Sequence, residues 1–424
     1  MGRELIDMMK EMMIKRREHS VQECPHPSRP IPTTTIDPEG DMFIHVGRNR
    51  CLEPNFSKHR HEDAMRLRID GKLVGQASPS WLGMLAKSNE NSDMHGQWEI
   101  HVPEDNAPAM LTIFNILYSK FDQPPLGCDT DIDELYNITV LTEKYNLTHL
   151  LRPWAAQWVL SMEKYWLGRT FGAGESTYDL EKLIWIFWVL GHQPLYSFMV
   201  LQVAAYSSLD KHGNLIDPSK HVCFVSDEQN FRHPSHAMDA IKFARVSMLR
   251  SITSSIKSTI QEHLHGTEKP SWLQCAPSKS DKKSDNTDDH ASRSTTRTAF
   301  ISFLQSEKLW PTPDAFDISR SPMALLADFK QPGASSLAAF AHAADGRCRP
   351  DGVFHARVAR IIRETTLPLV ESSKAHLRAQ AAKTGLRLYD RMGYAPPAES
   401  WSMQLVVSSL DLGGGRQSRR VVSV

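Results

Sequence analysis

Residues 66 to 85 read RLRIDGKLVGQASPSWLGML, and they constrain the fold more than any other stretch of the chain. An alternation of apolar and basic residues (Arg66, Leu67, Arg68, Ile69) reads as a strand and runs directly into Asp70-Gly71, a turn signal. Two very short helical segments follow, broken by Ser78-Pro79-Ser80 and carrying Trp81, Met84 and Leu85. Neither a nucleophile nor a phosphate loop is visible here, so what the stretch encodes is architecture.

Its neighbours are short and mixed as well. Asp41 to Val46 (DMFIHV), Ala64 to Ile69 and Trp98 to Val102 (WEIHV) alternate as strands, with a polar segment from Asn49 to Asp63 between the first two. A helix is expected to start at Pro103-Glu104-Asp105 and to bury Met110, Ile113, Phe114 and Leu117. After Pro124-Pro125, Leu135, Ile138, Leu141 and Tyr145 recur at helical spacing from Asp131 to Tyr145. A further helix, Thr148 to Trp158, contains Pro153, which predicts a kink or a boundary there.

Outside this block the chain reads as helix and linker. Residues 1 to 20 carry Leu5, Met8, Met9, Met12 and Met13 at helical steps, which fits a frayed terminal helix. Residues 21 to 36 hold four prolines and read as linker, so the first compact domain is expected from Asp37 to residue 165. Tyr178 to Ser207 and His236 to His265 read as helices within a helical region from 166 to 265. The stripe Leu249, Ile252, Ile256, Ile260 and Leu264 suits packing on neighbours better than a dimerising coiled coil. Residues 266 to 297 are too polar to offset chain entropy and read as disordered. Helical signals return at Thr298 to Leu309, Ser321 to Phe329 and Val353 to Leu377 in a C-terminal region from 298 to 395, before a flexible tail from 396 to 424.

Composition limits the function classes. At 424 residues, more than one folded unit is expected, and 41% apolar with 23% charged residues is ordinary for a globular protein. Forty-nine basic residues balance forty-nine acidic ones, so no whole-chain field favours nucleic acid or an anionic membrane. Cys24, Cys51, Cys128, Cys223, Cys275 and Cys348 form no CxxC pair and read as reduced thiols of an intracellular protein, cytoplasmic or nuclear. The apolar run Leu183 to Leu190 (LIWIFWVL) is far short of the roughly 20 residues of a membrane span and reads as a core helix. The N-terminus is not a secretory signal, Ile6 breaks the myristoylation pattern after Gly2, and N-x-[ST] sequences at Asn55, Asn137 and Asn146 then carry no weight.

Motifs for chemistry are weak. Gly168 to Ser176 (GRTFGAGES) has Ala173 and Gly174 where a phosphate loop needs glycine and lysine. His212, His221, Cys223, His233 and His236 lie close together in sequence but match no standard zinc spacing, and His59-Arg60-His61 is no stronger. No G-x-S-x-G elbow occurs. Asp129, Asp131, Asp133 and Glu134 precede a helix, where carboxylates oppose the dipole, and this outweighs acid–base chemistry. Lys15-Arg16-Arg17 and Arg419-Arg420 read as solvated surface rather than a nucleic-acid patch. No metal, cofactor or catalytic residue is assigned.

The order of elements carries a resemblance. DPEGDMFIHVG (Asp37 to Gly47), GKLVGQASPSWLGML (Gly71 to Leu85), WEIHVPEDNAPAM (Trp98 to Met110), FNILYSKFDQPP (Phe114 to Pro125) and ELYNITVLTEKYNLTHLLRPWAAQW (Glu134 to Trp158) together resemble the BTB/POZ domain, in the version found in fungal proteins. The resemblance implies an α+β fold, a small three-stranded sheet with a helical cluster, and a role in protein association, often as a homodimer. Many animal members begin the first of these short helices with an arginine in a charged pocket; here Gly71 stands there, with Lys72 beside it and the partner-like Asp41 retained.

The expected function is therefore non-enzymatic protein binding, homo- or hetero-oligomeric, by an N-terminal BTB-like α+β domain ahead of a mostly helical region. Met42, Ile44, Trp81, Met84 and Leu85 are the candidate interaction surface, and Asp41 with Lys72 the candidate charged pocket. A cullin-3 ligase adaptor is an alternative that the resemblance admits. It is not favoured, because no kelch repeat or other recruiting module follows. A transcriptional regulator using the basic segments is the second alternative, with nucleic acid and membrane both disfavoured as partners.

Overall fold

The computed structural model describes residues 31–47, 64–88, 98–122, 131–167, 177–224, 234, 236–265, 298, 301–330 and 350–386. Outside them lie the residues expected as an N-terminal helix and most of the expected proline-rich linker, the segment Asn49 to Asp63, GRTFGAGES, the polar residues 266 to 297, the residues from 396, both basic clusters, and every cysteine except Cys223. The fold is α+β, and the described chain divides into two compact units. One takes residues through 125 together with 140–150; the other takes 126–139 and everything from 151.

The first unit is built on a four-stranded mixed sheet: β1 (Thr33–Thr35), β2 (Met42–Val46), β3 (Met65–Ile69) and β4 (Trp98–Val102), in the order β1-β3-β2-β4. β2 pairs antiparallel with β3 and parallel with β4, while β1 adds a parallel edge to β3. Two expectations fail here. The sheet has four strands, not three, and the linker does not run to residue 36, because Thr33–Thr35 pairs with Arg66, Leu67 and Arg68. Three threonines are β-branched and suit an edge ladder, but the prolines before them mask that signal in the sequence.

Period-two alternation sends Met42, Ile44 and Val46 of β2, Leu67 and Ile69 of β3, and Ile100 and Val102 of β4 to one buried face. Three helices join this core: α1 (Gly71–Ala77), α2 (Pro79–Ser88) and α3 (Ala107–Leu117). Burial of each large apolar side chain contributes about 1.5–3 kcal/mol before chain entropy opposes it. α3 begins at Ala107 rather than at Pro103, because the Asn106 side chain accepts the Ala109 N–H at 2.9 Å and supplies the cap. Helix α4 (Ile132–Lys144) buries the expected stripe of Leu135, Ile138 and Leu141, with Tyr145 just beyond its end.

A 3₁₀ turn that begins at Thr148 gives way at Pro153 to α5 (Ala155–Leu167) of the second unit, the boundary that the proline demands. The helix expected over Tyr178 to Ser207 is two, α6 (Tyr178–Leu190) and α7 (Gln193–Tyr206). Gly191 takes φ +81° as the C-cap of α6, and His192 Nδ1 accepts the Leu195 N–H to start α7. LIWIFWVL is buried on every side, as an all-apolar run requires. A short hairpin, β5 (Ser208–Leu209) and β6 (Leu215–Ile216), precedes α8 (Ala237–His265).

The α8 stripe is satisfied within its own unit. Leu249, Ile252, Ile256 and Ile260 join Phe303, Leu304, Leu325, Leu326, Val358 and Ile362 in one core, with α9 (Pro322–Lys330) and α10 (Pro350–Glu364). The helix expected over Val353 to Leu377 is also divided: α10 ends at Glu364, Pro368 interrupts, and α11 (Glu371–Thr384) begins afresh and packs on α6. Among the described residues, no helix is long and apolar enough to cross a membrane.

Candidate functional site: an exposed helix face and a polar sheet face

The opening stretch is held by side chains that serve two elements at once. Asp70 caps α1 by accepting the N–H groups of Lys72 and Leu73, and its own N–H donates to the Tyr118 hydroxyl at 2.6 Å. Ser78 ends α1 and starts α2: its Oγ accepts the Trp81 N–H at 3.1 Å and donates to the Tyr145 carbonyl at 2.5 Å. Pro79 then sits at the first position of α2, where its missing N–H costs nothing. Trp81 stacks on Tyr145, with ring centroids 4.7 Å apart, and tilts against Phe114. The Tyr145 hydroxyl and Lys144 both donate to the buried Asp105 carboxylate, which anchors this corner.

The residues proposed from the sequence as an interaction surface therefore separate. Met42, Ile44 and Trp81 have no exposure and Leu85 has 5%, so these four are core and must be withdrawn from the surface. The cause is the alternation itself: Met42 and Ile44 share their face with Val46, and Trp81 with Leu85 shares the inner face of α2. Met84 is half-buried. The residue that does face solvent is Leu82, at 59%, and the sequence reading passed over it. A Cβ added at the adjacent Gly83 would meet nothing within 4 Å, so the backbone there is open to approach.

The candidate charged pocket is corrected too. Asp41 does not pair with Lys72 among the described residues; its Oδ1 accepts the Gly71 N–H at 2.9 Å, at the start of α1. Gly71 is also pressed by the indole of Trp98, which a Cβ would approach to 3.1 Å. A larger side chain there would have to displace the ring, a physical reason for glycine at this position.

The opposite face of the sheet is polar. His45 lies directly across from His101 in the β2–β4 ladder, and Phe43 across from Glu99. The two imidazoles stack with centroids 4.4 Å apart, and His45 Nε2 lies 3.7 Å from Glu99 Oε2. Arg66 donates to Glu99 Oε1 at 2.7 Å while its guanidinium lies over the Phe43 ring. Burial, then the neighbouring His101, hold the His45 imidazole below its ordinary value and favour its neutral form. Among the described residues, His45, Glu99 and His101 are the group whose donor atoms could converge on a metal ion. The sequence does carry a signal for this: Ile-His-Val occurs at both 44–46 and 100–102 and pairs with itself in register.

Among the described residues, the histidine–cysteine group flagged in the second unit brings together no set of metal ligands. His212 and His221 are tied through their backbones to Asp210 and Asp217, and His233 lies outside the described residues, as does His59-Arg60-His61. Cys223 instead belongs to a buried polar knot with Thr177, Glu181 and Ser207. Burial and the adjacent Glu181 push its thiol up to about 12, so it is a protonated interior group rather than an activated nucleophile. Asp133 pairs with Lys182, and Asp131 accepts the Asp133 N–H ahead of α4, which gives these carboxylates structural employment. Compared with known proteins, the chain matches no family model and no curated protein.

Proposed function

We propose that the chain acts by binding protein, with its first unit serving as a BTB/POZ-like association module and a second copy of the same chain as its first partner. The observation that carries this is Leu82, an exposed leucine on α2 beside open Gly83 and half-buried Met84. An isolated exposed leucine is ordinary; one mounted on a helix whose first turn is fixed by Ser78 and the Trp81–Tyr145 stack is a preorganised contact. The order of strand, capped turn and paired short helices supports the reading, as does the resemblance of the same segments to that family. Binding would remove apolar area from water at about 25 cal/mol per Å², opposed by lost rigid-body freedom.

Size-exclusion chromatography with light scattering on the full chain tests this. The expected result is a dimer at tens of micromolar that Leu82→Asp converts to a monomer with unchanged circular dichroism. A wild-type monomer at that concentration, or a dimer indifferent to Leu82→Asp, overturns the assignment.

A further inference from the structure

We propose that His45, Glu99 and His101 form a binding site for a transition-metal dication of the zinc, cobalt, nickel or copper class. This goes beyond protein association and does not depend on it. The donors come from adjacent strands: His45 from β2, and Glu99 and His101, two residues apart and so on one face, from β4. Their ligand atoms lie within 4.8 Å of one another. His45 Nε2 is shielded from solvent and has no hydrogen-bond partner, so a metal ion can take it without displacing an existing bond, in the tautomer that carries the proton on Nδ1. Arg66 occupies Glu99 Oε1 and leaves Oε2 on the His45 side, as an outer group does when it orients a ligating carboxylate.

The chemistry selects the metal class. Two imidazoles and one carboxylate suit borderline metals, whereas calcium and magnesium require oxygen donors throughout. Three protein donors leave a fourth tetrahedral position for water. The stacked rings are not yet in coordination geometry, since bonds of about 2.0–2.1 Å to both nitrogens require the lone pairs to converge. Exposed His101 is the ring free to turn out of the stack, while half-buried His45 is held by the sheet. The Arg66 guanidinium opposes a cation, which sets the affinity below that of a closed structural zinc site.

The test is a Co²⁺ titration of the metal-free full-length protein, followed by its visible d–d absorption and then by Zn²⁺ displacement. The expected spectrum lacks thiolate charge transfer, which separates this site from any cysteine-bound metal. His101→Ala, an exposed change whose fold is checked by circular dichroism, should weaken binding at least about tenfold, and Glu99→Gln should weaken it several-fold. No binding up to millimolar Co²⁺, or a His101→Ala titration that superimposes on the wild type, overturns the proposal.

Discussion

The Glu181 carboxyl accepts the backbone N–H of Phe224 at 2.9 Å, and this bond holds the segment after β6 against the first turn of α6. Its other oxygen accepts the Thr177 hydroxyl at 3.0 Å. Burial pushes this carboxyl up to about 7, although both hydrogen bonds pull the other way, and Asp217 adds a further upward push.

Stability should fall as pH rises through this window. The unfolded chain releases the Glu181 proton near the ordinary value of 4.5, whereas the folded chain keeps it to about 7. Below 4.5 both states are protonated and the contribution is whole; between 4.5 and 7 only the folded state holds the proton, so each step upward favours unfolding. The loss levels off at roughly 3 kcal/mol above that range. Urea denaturation from pH 4 to 8 should show this slope in the wild type and a flatter one in Glu181→Gln; equal slopes would refute the assignment.

Arg245 is 2% exposed and spends its donors on backbone. Nε reaches the Ser207 carbonyl at 3.0 Å, and Nη2 lies within hydrogen-bond distance of the carbonyls of Ile318, Ser319 and Arg320. Arg245→Met should leave these acceptors without that donor and cost roughly 3 kcal/mol or more. Arg245→Lys should restore less than half of the loss, because an ammonium cannot span the same fan of carbonyls. Denaturant midpoints of the three proteins decide this.

Among the described glycines, Gly191 is the position least able to accept a side chain. It sits at φ +81°, and a Cβ would come within 2.1 Å of the Ala381 backbone nitrogen and 2.6 Å of the Leu377 oxygen. Gly191→Ala should therefore force α6 and α11 apart and cost roughly 2–4 kcal/mol. Hydrogen exchange should show the loss of protection concentrated at the end of α6 and in α11.

Adjacent residues on α2 should behave oppositely. Trp81→Ala empties a fully buried site and should cost roughly 3–5 kcal/mol. Leu82→Asp, on the exposed side, should change the stability of the monomer, compared at a protein concentration too low for dimerisation, by no more than about 0.5 kcal/mol. Thermal melts of both variants make the comparison, and a large loss in Leu82→Asp would mean that its side chain has a structural role.

Local pattern was legible where one element decided its own fate. β4 stands where WEIHV places it, Pro153 marks a helix boundary, and LIWIFWVL is interior. The misses share a cause: they depend on what lies across from a residue. β1 was hidden because its worth lies in pairing with β3. Gly191 and Pro368 divide helices whose apolar periodicity runs on past them. Met42 and Ile44 are apolar whether they face a partner or the core, and only the register with β3 and β4 settles which. The His–Glu–His group needs two strands far apart in sequence to be laid side by side.

That same register bears on the order in which the first unit assembles. β2, at the middle of the sheet, meets Ile69 through Met42 on one side and Trp98 on the other, so neither of its ladders is local in sequence. A parallel partner cannot be reached through a tight hairpin, and α1 and α2 lie on the path between β2 and β4. Chain freedom must be lost over the whole detour before the central strand gains its bonds. The Asp70 cap draws on neighbours in sequence, whereas every ladder bond of the strand that carries His45 joins residues distant in sequence.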